Sequence, residues 1–197
     1  SFLGHPSSVM SSTKQCATPT FSRGLKRRGS ARELVTKVMA RMRNDEQKLI
    51  RQMKKLINER KSYAVQIMTT DIGGWTPLHA CVLQGSEKLL KVYLTSGVDV
   101  NTQMGQPEGL PSMCTPLHLA CLRGDMDIIN LLLTKGADIE AVDSCNRTPV
   151  TYAANRKHKH VVRLLREQGA TMATIYSLLA FGEWVTPKII DTKFSFF

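Results

Sequence analysis

No window of this 197-residue chain approaches 18 uninterrupted apolar residues, which excludes an ordinary membrane-spanning helix. The amino end, SFLGHPSSVMSSTKQCATPT, lacks the basic-then-apolar order of a secretory signal. Ser1 is not a methionine, so the chain reads as one that could be a fragment of a larger parent. Five cysteines (Cys16, Cys81, Cys114, Cys121 and Cys145) form no Cys-x-x-Cys pair, so no zinc spacing is present. Their odd number, with no visible export signal, points to reduced thiols in the cytosol or nucleus. A Gly-rich phosphate loop, G-x-S-x-G and H-E-x-x-H are all missing, and with them the usual signs of an enzyme. No metal or cofactor site is expected.

A hydrophobic content of 42% is enough for a packed core. The net charge of +11 is concentrated in one place. Residues 23–61 hold fourteen Lys and Arg against four Asp and Glu, whereas residues 62–197 carry twelve of each sign. The high pI therefore belongs to one segment, and the rest of the chain is neutral.

The middle of the chain repeats itself. Thr-Pro pairs begin at Thr76, Thr115 and Thr148, and the last two are 33 residues apart. Counting from each Thr, glycines recur at Gly97, Gly136 and Gly169, and paired aliphatics at Leu89-Leu90, Ile128-Ile129 and Val161-Val162. Thr followed by Pro opens a helix, because Thr can cap and Pro at the first position loses no needed N–H. Gly85 or Gly124 closes this first helix, and a second apolar stripe runs to a terminal glycine suited to a left-handed stop. Each unit thus reads as two antiparallel helices and an extended loop. Neither helix can bury its apolar face alone, so the units must stack.

The strings GWTPLHACVLQG, CTPLHLACLRG, SGVDVN and KGADIE resemble the ankyrin repeat over about residues 71–172. The resemblance implies an all-α solenoid of helix-loop-helix units with β-hairpin-like loops, in units 71–103, 110–142 and 143–172. Three departures stand out. Thr151 replaces the third unit's His, Lys157 replaces its Gly, and six extra residues precede unit two. In that insertion Leu110 stands for the usual turn Asp and Met113 for the usual turn Gly, which predicts a longer, non-standard finger.

His79 and His118 share one repeat position, and the resemblance makes them structural, bonding the loops between repeats together with Thr76, Thr115 and Thr148. Cys81 and Cys121 fall in small-residue core slots; Cys114 and Cys145, in or before turns, are expected nearer the surface. The KHKH run from Lys157 reads as solvated surface rather than a ligand pair, since His at i and i+2 point to different helix faces.

What remains is a surface. By repeat position, partners of such stacks touch loop tips and the exposed side of the first helix. Those residues are Ile72, Trp75, Leu83 and Gln84 in unit one, Leu122 and Arg123 in unit two, and Ser144, Arg147, Asn155 and Arg156 in unit three. Trp and Arg often dominate interface energy, so the expected protein partner carries an apolar anchor and acidic residues. Packing of Trp75 against the basic segment is the rival.

The basic segment, residues 30–70, has helical apolar spacing with a gap at Asn44-Asp45-Glu46. Two helices forming a degenerate capping repeat, or one continuous basic helix, both fit. Its solvent face could meet acidic protein or an anionic surface. Nucleic acid is disfavoured because no aromatic lies between Arg23 and Lys61 to stack on bases. Ser30, in KRRGSARE, suits both a basophilic kinase site and an S-x-x-E capping box. Residues 1–22 are rich in Ser, Thr and Pro, which predicts a disordered tail reaching residue 29, and 173–197 read as a C-terminal cap or tail. The expectation is a non-enzymatic protein-interaction module or adaptor in the cytoplasm or nucleus. The alternatives are a regulatory fragment of a larger enzyme or channel, and a nuclear co-regulator using the basic arm.

Overall fold

The computed structural model describes residues 35–42, 44–107 and 109–171. The predicted tail, Ser30 and the C-terminal cap lie outside the described residues. Helical residues 35–42 (α1) are followed by α2 (Glu46–Glu59) and α3 (Lys61–Thr69). Three helix pairs then succeed one another: α4 (Pro77–Gln84) with α5 (Glu87–Thr95), α6 (Pro116–Arg123) with α7 (Met126–Thr134), and α8 (Pro149–Asn155) with α9 (Lys159–Glu167). Among the described residues the fold is all-helical, and the loops between pairs contain a single isolated antiparallel bridge, Ile72 to Trp75.

The Thr-Pro pairs open helices for the anticipated reason. Thr76, Thr115 and Thr148 hold extended backbone as N-caps, and each following Pro takes the first helical turn. Gly85 and Gly124 close α4 and α6 in the left-handed region, at φ 83° and 77°. At the matching position of unit three, Lys157 accepts φ 61° without the freedom of glycine.

The first helices form one layer, with α6 packed between α4 and α8, and the second helices form the other, with α5 against α7. Leu78, Leu117, Leu119, Ile128, Ile129 and Leu132 are among the fully buried side chains joining the layers. Cys81 and Cys121 are buried in the same core, as small hydrophobes would be. A row of hydrogen bonds ties the first helices end to end. Gln84 Nε2 donates to Met42 O (2.9 Å), Arg123 Nη1 to Leu83 O (2.7 Å), and His158 Nε2 to Leu122 O (3.2 Å). By this register the end of α1 stands to α4 as the end of α4 stands to α6.

Residues 35–59 are two helices rather than one. Asp45, at φ −155° and ψ 73°, leaves the helical region, and its carboxylate accepts from Lys48 N at 3.0 Å. A second break, at Arg60 (φ −147°), separates α3, which the spacing of apolar residues alone does not distinguish from α2. Ala64, Ile67 and Met68 of α3 are buried, and the helix packs on α4.

Candidate partner-binding surface

The loops between helix pairs project as fingers, and the side chains that build them fix what a partner could meet. His79 is fully buried, and both its ring nitrogens are engaged. Nε2 lies 3.1 Å from Cys114 O and Nδ1 lies 2.7 Å from Thr76 Oγ1. A carbonyl can only accept, so the proton sits on Nε2 and Nδ1 accepts from the Thr76 hydroxyl. His118 repeats the arrangement: Nε2 donates to Arg147 O (3.0 Å), and Nδ1 accepts from Thr115 N (3.1 Å). Each ring thereby holds the finger of the following unit. Burial lowers the His79 pKa to about 4 and also lowers that of His118, keeping both neutral. In unit three, where Thr151 replaces His, the Thr148 and Thr151 hydroxyls lie 3.2 Å apart instead.

Finger two is the non-standard one. Met104 N donates to Cys114 O and Met113 N to Met104 O, each at 3.0 Å, closing the inserted residues into a loop. Leu110, in the turn-Asp position, is buried, so an apolar side chain replaces the missing polar brace. Asp71 of finger one supplies a brace from outside: it accepts from Gly74 N (3.0 Å) within its own turn and from Gly105 N (3.1 Å) in the insertion. Met113 adopts φ 67°, and its side chain is 41% exposed at the tip. Ser144 N donates to Ser112 O (3.0 Å), which brings the tip of finger three alongside.

Beneath that junction lies a polar cluster that repeat position did not reveal. Arg147 Nε pairs with Asp143 Oδ2 at 2.9 Å, Tyr152 OH donates to the same oxygen at 2.5 Å, and the guanidinium carbon sits 5.2 Å from the Tyr152 ring centroid. Burial works against the Asp143 charge, but Tyr152 and the Arg147 and Cys145 backbone N–H groups overcome it and hold the carboxyl below its usual range. Cys114 is buried here rather than near the surface, with Sγ 3.2 Å from Tyr152 OH, and burial pushes its thiol up to about 11. Cys145 is exposed.

Several expected contact residues are therefore corrected. Trp75 is 7% exposed, within the core cluster, and is not offered to a partner. Leu83 and Leu122 are buried at the ends of α4 and α6, facing the layer interior rather than solvent. Arg147 is half-buried and engaged with Asp143 and Tyr152, and Ile72 is half-buried in its bridge to Trp75. Gln84 and Arg123 are exposed, but each serves as a tie to the preceding helix; Arg123 also lies 3.8 Å from Asp125. Ser144 is exposed, and Asn155 and Arg156 are half-buried. Arg156 differs from Arg123 because His158 takes the Leu122 carbonyl that its repeat position would reach. Its Nε and Nη2 are buried with no hydrogen-bond partner.

In the KHKH run Lys157, Lys159 and His160 are exposed and His158 is half-buried. His158 and His160, whose rings lie 5.9 Å apart, reach the carbonyls of Leu122 and Gly124 at the end of α6. His158 is the N-cap of α9 and not part of its helix, so both rings reach the end of α6 despite the i, i+2 spacing.

No curated protein matches the chain. Residues 73–104 match the family described as Ankyrin repeat and residues 105–175 the one described as Ankyrin repeats (3 copies), together just over half of the chain. Such repeats are generally protein–protein interaction modules and typically non-enzymatic. With its stacked helix pairs, histidine-braced fingers and these matches, the chain belongs to the ankyrin repeat family.

Proposed function

We propose that this chain is a non-enzymatic interaction module that receives a protein partner on the fingertips and the adjoining ends of α6 and α8. One observation carries the reading: Met113 is held out at the tip of finger two, beside exposed Ser144 and Cys145. Among the described residues, Met113 and Val142 are the large apolar side chains left exposed. A flexible thioether on a braced loop suits an apolar contact that adapts to its partner. Charge on the neighbouring helix ends is positive, from Arg123 and Arg156. Arg123 is exposed and Arg156 half-buried, and their shared positive charge favours a partner that brings a carboxylate. The partner would thus combine an apolar side chain for Met113 with an acidic residue for Arg156.

The test is affinity capture from the native source with the full chain and with Met113→Asp plus Arg156→Glu, compared by quantitative mass spectrometry. Met113 is exposed and Arg156 half-buried, so a thermal melt first establishes that the variant is folded. Loss of the proteins captured by the parent is the expected result. Undiminished capture by a folded variant refutes this surface.

A further inference from the structure

The basic segment forms a face of its own, away from the fingers. Leu49, Ile50 and Met53 bury one side of α2, so Lys48, Arg51, Lys54 and Lys55 fall on its exposed side. α5 packs beside α2 in the same layer and adds exposed Lys88 and Lys91. Two exposed ion pairs offset part of this charge, Lys55–Glu59 at 3.8 Å and Lys91–Glu87 at 2.6 Å. The face stops at α7, where Asp127 and Asn130 stand in place of Lys88 and Lys91. Six cations thus lie across two adjacent helices.

We propose that the outer face of α2 and α5 docks on an anionic lipid bilayer. The composition of the face selects this occupant. Among the described residues the exposed large apolar side chains, Met113 and Val142, sit on the fingers, so the described face has no anchor of the kind that dominates protein interfaces. It has no exposed aromatic on which bases could stack. Five of its six cations are lysines, hydrated point charges without the planar fork that reads a phosphate bidentately. A fluid headgroup layer needs neither anchor nor fork, because its anionic lipids gather around whatever charges the protein presents. This face is in the second-helix layer, so its test is independent of the partner surface proposed above.

The experiment is flotation of the full chain with vesicles of phosphatidylcholine alone or with about 30% phosphatidylserine, at about 0.1 M salt. The parent floats with the serine-containing vesicles, remains behind with the neutral ones, and is released at about 0.5 M salt. Lys48→Glu with Lys54→Glu and Lys55→Glu lowers binding at least about tenfold, while Arg163→Glu with Arg166→Glu, exposed on α9 and outside the face, lowers it less than about threefold. Should the triple variant unfold, Lys88→Glu with Lys91→Glu reads the same face from α5 and shows a loss of several-fold. Equal binding to both vesicle types overturns the proposal. So does unchanged binding by folded face variants, or displacement from vesicles by duplex DNA at lower charge concentration than free anionic vesicles require.

Discussion

Gly74 shows how one backbone position can carry two demands. It lies at φ 88° in the turn of finger one, and a Cβ there would overlap the backbone of Pro107 in finger two. Gly136 has nearly the same φ, 84°, but faces open space. Gly136→Ala therefore bears the left-handed penalty alone, on the order of 1 kcal/mol, whereas Gly74→Ala adds a collision with backbone that cannot rotate away and loses at least about 3 kcal/mol. Urea melts of the two variants check the difference, and equal losses would refute the contact between fingers. His79 makes a second residue-scale prediction. Its folded pKa is depressed to about 4, so the unfolded chain takes up the proton first as pH falls. The stabilisation is complete above pH 6.5, declines through the interval down to about 4, and amounts to roughly 3 kcal/mol, with His118 acting in the same direction. Asp143, whose pKa is also lowered, keeps its stabilising contribution above the ordinary carboxylate range and loses it only at lower pH. Urea midpoints should therefore fall between pH 6.5 and 4.5, and a flat profile would contradict the buried neutral rings.

At the scale of elements, the break at Asp45 decides that the basic segment turns back on itself. The capping bond to Lys48 N satisfies a first-turn donor of α2 that would otherwise meet only water. Asp45→Ala should lose about 1 kcal/mol and loosen the first turn of α2, measured by a thermal melt and by faster amide exchange at Leu49 and Ile50. If exchange rises instead at Tyr63 and Ala64, α2 and α3 open together and the cap is not the controlling feature. Helix starts, stops and faces were legible in the sequence because Thr-Pro pairs, glycines and aliphatic pairs act within a few residues of themselves. The separation of α3 was not legible. Arg60 carries no turn signal, and its bend serves the packing of Ala64, Ile67 and Met68.

Across the whole molecule, stability should be graded from the centre outward. α6 is covered by α4, α7 and α8, and Leu117, Leu119, Ala120 and Cys121 are fully buried. α9 rests on α8 and exposes Arg163, Arg166 and Glu167. In a stack whose units touch only neighbours, opening is easiest at an end. Native-state hydrogen exchange should therefore be slowest in α6 and faster in α9. Uniform protection would mean that the stack opens only as one body.

The sequence by itself determined the all-helical repeat, the extent of the helix pairs, the non-standard finger two and the concentration of charge before residue 62, because each is written in local spacing. Tertiary structure decided which outward-numbered residues reach solvent. Trp75, Leu83 and Leu122 are drawn inside by packing between units, and Arg147 is held beside Asp143 and Tyr152 across a turn. It also decided that His158, by taking the Leu122 carbonyl, leaves Arg156 with unfilled donors. Repeat position states which helix a residue belongs to. Which neighbour claims its hydrogen bonds depends on atoms some 30 to 40 residues away, as in the ties from Arg123 to Leu83 and from His158 to Leu122.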